Sequence, residues 1–184
     1  MDAYEQRVQA VFAQTLDMSP AYKSGAKKNC AKATIVFDRF HVMQTIGKAV
    51  DEVRRREHPS LLRKGDKSLK ESMWLSRNNP QNLDEKQTAH LDNIKQANLI
   101  TAKAYQMRLT LQDIYSLKEP TLFKKKLLAW CRWVQAYGKS KGYVFKPMIA
   151  AAKSVLNHLD GIISFAQSRI TNAFMERLNS VFQQ

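Results

Sequence analysis

Before residue 40 the apolar positions fall in short unbroken runs, and after it they recur every three or four residues, so the chain changes structural type there. Val11 to Leu16 is a mostly apolar run closed by Asp17, and Thr34-Ile35-Val36-Phe37 is β-branched and aromatic and closed by Asp38. Both runs predict buried strands. Between them Ser19-Pro20 supplies a helix start: serine as N-cap, and proline at the first helical position, where its missing N–H costs nothing. A short helix to about Asn29 follows. Two strands joined by a helix favour parallel pairing, which delivers Asp17 and Asp38 to the same edge of a sheet.

From Phe40 on, Met43, Ile46, Val50 and Val53 mark an amphipathic helix expected to run out near His58-Pro59. Residues 60–84 are basic, contain Gly65 and Asn78-Asn79-Pro80, and read as a loop with one short apolar element at Met73-Trp74-Leu75. Leu91, Ile94, Ala97, Ile100, Ala104, Met107, Leu111 and Ile114 predict one long helix, and Phe123, Leu127, Trp130, Val134 and Tyr137 another. A turn is expected from Tyr137-Gly138 to Pro147, then an apolar helix from Met148 to Leu159. In the last segment Ile170, Phe174, Leu178 and Val181 form one stripe. Arg169, Asn172, Glu176, Asn179 and Gln183 form a second, entirely of hydrogen-bonding residues. That second stripe is either a solvated face or one that holds Glu176 toward a site, and spacing alone favours the solvated face.

Charge narrows the function classes. Thirty Lys+Arg against sixteen Asp+Glu leave a net charge of +14, read either as the electrostatic footprint of a polyanion partner, which charge favours, or as charge that serves solubility or a membrane surface. No run approaches the roughly 20 apolar residues of a membrane span, and the polar N-terminus is neither a signal nor a transit peptide. Cys30 and Cys131 form no C-x-x-C pair and the four histidines are scattered, so neither a disulfide framework nor a zinc ribbon is suggested. A cytoplasmic protein with no membrane partner is the simplest expectation.

Asp17, Asp38 and Glu176 could converge on one sheet edge. Clustered carboxylates suit a hard divalent cation such as Mg²⁺ or Mn²⁺, and two such ions can activate the attacking oxygen and stabilise the leaving oxygen at phosphorus. Strand-terminal aspartates are also frequent helix caps, and Asp38 before the Phe40 helix fits that role. Asp38 and His41, three apart, are read either as a site-supporting pair or as a capping interaction, and spacing favours capping. Trp130 is expected in the core, with Trp133 open between core and surface. Arg39, Arg169 and the run Lys124, Lys125, Lys126 are the candidate DNA contacts.

Three segments together resemble one family: L-D-M-S-P-A-Y (16–22), A-T-I-V-F-D-R-F-H-V (33–42) and R-I-T-N-A-F-M-E-R-L-N-S (169–180). They are similar to the ISL-three group of insertion-sequence transposases, and the match in order and spacing extends over essentially the whole chain. The resemblance implies a DDE enzyme with a ribonuclease-H-like catalytic domain. In such enzymes three carboxylates hold two Mg²⁺ (or Mn²⁺) ions that drive hydrolysis at transposon ends and then attack of the freed 3′-hydroxyl on target DNA. By motif, Asp17 corresponds to the second catalytic aspartate and Glu176 to the catalytic glutamate, both metal ligands. Asp38 and His41 match a D-x-x-H signature implicated in site support, and Asn172 belongs to the same supporting set. Implied partners are DNA, as transposon ends and target, and other transposase copies.

The chain departs from that pattern in ways that shape the expected fold. The first catalytic aspartate belongs on a strand upstream of L-D-M, and Asp2 lies too close to be that residue. The N-terminal zinc-binding and helix-turn-helix regions that the resemblance implies for full-length members, and the basic tail usual after the glutamate, have no counterpart in these residues, and Arg177 stands where a small residue is common. The expectation is therefore a C-terminal fragment of a transposase: mainly α, with a truncated ribonuclease-H-like portion of about two parallel strands and a large all-α insertion. The expected parts are a partial core at 1–58, the insertion at 59–163 and a returning catalytic helix at 164–184. Such a chain is expected to be inactive alone, or to serve as a non-catalytic DNA-binding or transposase-associating regulator.

Overall fold

The computed structural model describes residues 36–168, and the apolar spacing is realised there as six α-helices. The expected strand at Val11–Leu16 lies outside the described residues. Of Thr34–Phe37 only the last two residues are described, with Val36 at an isolated β-bridge position. The described part is otherwise helices and turns.

Helix α1 (Arg39–Arg63) starts where Asp38 caps it, its Oδ1 accepting the Phe40 N–H at 2.7 Å. Val42, Ile46, Ala49, Val50 and Val53 are buried along one stripe. The helix does not stop at His58-Pro59 but continues through Pro59 to Arg63. The proline removes one ladder bond, but Glu57 is buried just before it, and Leu61 just after packs on a second apolar cluster under the loop. Packing on both sides of the proline thus holds the helix through it. The loop that follows contains 3-10 turns at Met73–Ser76 and Pro80–Asn82, the first on the expected apolar element.

The long helix expected from Leu91 to Ile114 is two helices, α2 (Glu85–Gln96) and α3 (Ile100–Ser116). Asp84 and Gln87 form a reciprocal capping box at the start of α2. Between the two, Asn98 sits at φ 49°, a left-handed conformation that asparagine tolerates better than most residues. The break is fixed from a distance. Glu57 of α1 accepts the Ile100 N–H through Oε1 at 2.8 Å and the Thr101 N–H through Oε2 at 2.7 Å, while Thr101 Oγ1 donates to Oε2 at 2.6 Å. A carboxylate from another helix thereby satisfies donors that the N-terminus of α3 leaves unpaired and opposes the positive end of its dipole.

Helix α4 (Pro120–Lys139) begins with Pro120 at its first position under a Glu119 cap. Phe123, Leu127, Trp130, Cys131 and Val134 are buried, and Trp130 Nε1 donates to Met107 O at 2.8 Å. Trp130 is core as expected; Trp133 is half-buried against the same core, with Lys103 Nζ 5.2 Å from its ring centroid. The expected turn up to Pro147 is shorter, because α5 (Gly142–Asn157) starts at Gly142 and carries Pro147 inside it. Proline cannot donate to the carbonyl four residues back, at Tyr143. Arg56 Nη1 donates to that carbonyl instead, at 3.0 Å, and the Arg56 guanidinium lies 4.2 Å from the Tyr143 ring centroid. Helix α6 (Leu159–Ser168) then turns back, and Gly161 O accepts the Phe37 N–H at 3.1 Å.

One apolar cluster runs from Val36 through α1, α3, α4, α5 and α6 to Ala166. A second (Leu69, Leu75, Leu91, Ile94, Leu99, Tyr105) seals the loop and α2 against α3. Helix α1 packs most extensively on α5 and α3. At Gly47 the fit to the 3-10 turn is so close that a Cβ would lie 2.6 Å from Ser76 O.

Two consequences can be measured. Glu57→Ala should lower the urea-unfolding free energy by about 2–4 kcal/mol, because it strands the part-buried Ile100 donor and the buried Thr101 donors; a loss below about 0.5 kcal/mol would contradict the capping role. Burial pushes the Cys131 thiol up to about 12, from 9.0. The buried neutral thiol therefore stabilises fully below pH 9.0, and that contribution is lost as pH rises toward about 12. At pH 8 iodoacetamide should leave Cys131 unmodified in the folded chain and alkylate it in urea, as read by peptide mass spectrometry.

Candidate nucleic-acid interface

Of the residues singled out by pattern, Asp17, Arg169, Asn172 and Glu176 lie outside the described residues, and so does any geometry among them. Asp38, Arg39, His41 and Lys124–Lys126 are described. Asp38 is buried and caps α1 through its own first turn. His41 is half-exposed on that turn, its ring 5.7 Å edge-on from Phe40, and its carbonyl accepts from Thr45 Oγ1 at 3.0 Å. Behind them sits Tyr115, packed on Phe123 and Phe165. Burial raises its hydroxyl well above the ordinary phenol range, with Arg39 opposing that shift and Asp38 adding to it. Among the described residues no three His, Cys, Asp or Glu side chains are gathered as a metal site, and no helix is long and apolar enough to cross a membrane.

Asp38, Arg39 and Phe40 line a groove of about 960 Å³ between α1, the turn at Met73–Ser76 and α3. Lys124, Lys125 and Lys126 stand apart from it, exposed on α4. Their surroundings are more cationic than the run alone suggested. Residues 120–159 contain no aspartate or glutamate, yet hold Lys124, Lys125, Lys126, Arg132, Lys139, Lys141, Lys146 and Lys153. All are exposed except Lys141, which is half-buried. Lys125, Arg132 and Lys139 recur every seven residues, about two helical turns, and so follow one side of α4 over about 21 Å. With no acid on either helix to pair with, these cations are available to condense on phosphates.

Three cations on α1, Arg54, Arg55 and Arg56, are spent differently. Asp51 binds Arg54 and Arg55 at 2.8 Å each, and Glu52 binds Arg56 at 3.0 Å. The pattern reading missed Lys139, Lys141, Lys146 and Lys153, although the absence of acids over residues 120–159 was there to be found. It also missed Arg108, which gives no sign in the pattern because its partners come from the loop. Its Nη2 donates to Arg77 O at 2.8 Å and to Asn79 Oδ1 at 3.1 Å.

Comparison with known proteins places these features in context. A transposase family, the DDE type of the ISL-three group, matches the chain over residues 2–184. The chain is similar to the transposase for insertion sequence element IS1001 of Bordetella parapertussis, 26% identical over 181 residues. That alignment covers 97% of this chain and 42% of the relative, so the chain spans less than half of the relative's length. No solved structure matches it.

The capping role of Asp38 separates from any role at a site by substitution. Asp38→Ala should cost about 1 kcal/mol of stability, whereas Asp38→Asn, which keeps the cap, should stay within a few tenths. Chemical denaturation of both variants measures the difference, and equal losses would rule out capping as the main structural contribution.

Proposed function

The chain belongs to the ISL-three family of DDE transposases, and on that premise we propose that it acts on DNA as part of a strand-cutting and strand-joining machinery. The family match through residues 2–184 carries the reading, and the acid-free cationic block on α4 and α5 supports it. In this proposal Asp17 and Glu176 are the chain's catalytic carboxylates and hold Mg²⁺ or Mn²⁺, whose preference for oxygen donors suits them. Bound there, such ions would supply activation of water against a phosphodiester at the element's end, and of the released 3′-hydroxyl against a target phosphodiester, whose own 3′-oxygen would leave. Asp38, His41 and Asn172 support that site, while Arg39, Arg169, Lys124, Lys125 and Lys126 contact DNA. The expected division into a ribonuclease-H-like portion at 1–58, a helical insertion at 59–163 and a catalytic helix at 164–184 is part of the same proposal, as is association with other transposase copies.

Two measurements test it. The logarithm of the affinity for duplex DNA, followed by fluorescence anisotropy, should fall linearly with the logarithm of salt concentration. Replacing Lys124, Lys125 and Lys126 together by Ala should flatten that slope by up to about 3. Metal-dependent nicking of DNA bearing the element's ends should be abolished by Asp17→Ala and by Glu176→Ala; nicking that survives both overturns the assignment. Salt-sensitive binding without nicking by the unsubstituted chain would favour the regulatory, non-cutting reading.

A further inference from the structure

The groove beside Asp38 differs in kind from the cationic side of α4. Its wall carries Arg39, Lys48, Arg55, Arg77 and Arg108 against only two acids, Asp38 and Asp51, and Asp51 is already engaged by Arg54 and Arg55. Among the described residues Arg39, Lys48 and Arg77 make no ion pair. Yet the groove also exposes apolar surface: Phe40 is 66% exposed on its rim and Met73 46% exposed on the facing turn. Arg108 is only 5% exposed, and among the described residues its Nη1 has no hydrogen-bond partner. An arginine buried this far normally has its donors satisfied, so the site is built with a donor to spare. Burial also lowers its pKa, a desolvation cost that a nearby anion would offset.

Free cations beside an exposed aromatic ring are the chemistry that takes phosphate and base together. A duplex keeps its bases stacked on one another, so Phe40 could not reach a base face in it. A groove of 960 Å³ falls in the size class that encloses small ligands and short strands. Residues near both ends of the described span meet here: Asp38 and Phe165 line the groove, and the Phe37 N–H bonds to Gly161 O.

We infer that this groove seats an unpaired stretch of DNA strand, with phosphates on Arg77, Lys48 and Arg39 and a base on the Phe40 ring. The inference rests on the DNA reading above. Arg108 acts as a positioning residue, because it holds the Arg77 carbonyl and the Asn79 side chain in the groove wall.

The test is anisotropy on the whole chain with three labelled DNAs: a blunt duplex, the same duplex with a short single-stranded extension, and the same with an abasic extension. The extended duplex should bind roughly tenfold tighter than the blunt one, and the abasic extension should lose that advantage. Phe40→Ala, which removes an exposed side chain and whose folding circular dichroism can verify, should erase the advantage and leave blunt-duplex binding unchanged. Replacing Lys125 and Arg132 by Ala should weaken all three equally. Equal binding of blunt and extended duplexes, or an advantage that survives Phe40→Ala, overturns the groove inference and leaves the DNA reading standing. Loss of the advantage to millimolar inorganic phosphate would mark a free-phosphate site and also overturn it. No binding to any of the three DNAs overturns the DNA reading itself.

Discussion

The carboxylate of Glu57 is the constraint on which the described bundle depends. It sits 7% exposed on α1 and takes three hydrogen bonds from the first residues of α3. A buried charge is costly unless its lone pairs are met, and here they are met by donors that would themselves be costly to strand. The interaction fixes where α3 begins. Because α3 contributes Met107, Leu111 and Ile114 to one core and Tyr105 to the other, its starting point sets the register of both. The same helix then anchors the loop, through Tyr105 Oη to Asn78 O and Arg108 to Arg77 O. One side chain on α1 thus governs the geometry of the wall that faces α1 across the groove.

A second long-range contact plays the matching part on the other side of α1. Pro147 leaves the Tyr143 carbonyl without its helical donor, and Arg56 supplies one while stacking near the Tyr143 ring. Position 56 faces α5 and position 57 faces α3, so consecutive residues of α1 tie it to two different helices. Both contacts are polar and directional. They give α1 a defined rotation that a stripe of valine, isoleucine and alanine does not specify by itself.

Helix type was legible wherever an apolar stripe was sustained, as for α1 and α4, and the core role of Trp130 followed from the same stripe. Boundaries were less legible, for physical reasons. Leu91, Ile94, Ala97, Ile100 and Ala104 keep helical spacing straight through the break at Asn98, because the break is imposed by Glu57, far away in sequence. Pro59 and Pro147 read as stops, yet both lie inside helices, where packing or a borrowed donor compensates for the missing N–H. The lysine run on α4 was visible as a string of like residues. The groove was not, because its lining comes from α1, the loop, α3 and α6, and only folding brings Phe40, Arg77 and Arg108 to one place. Asp17 and Glu176 are proposed from family motifs alone, and both lie outside the described residues.

Among the described residues three settings of positive charge stand out. On α1 the three guanidinium groups of Arg54, Arg55 and Arg56 share the two carboxylates of Asp51 and Glu52, so most of their charge is offset within the helix. On α4 and α5 the cations are exposed and, among the described residues, unmatched; their pull on a phosphate backbone extends about one Debye length, roughly 8–10 Å, and weakens as salt rises. In the groove Arg77 and Lys48, also exposed, line the same wall as the apolar Phe40 and Met73, so contact there depends on shape as well as charge. An exposed track attracts any duplex that approaches it, whereas a concave site with an aromatic rim responds to whether a strand is paired. The two arrangements read different properties of the same polymer, one its charge and the other whether its bases are paired.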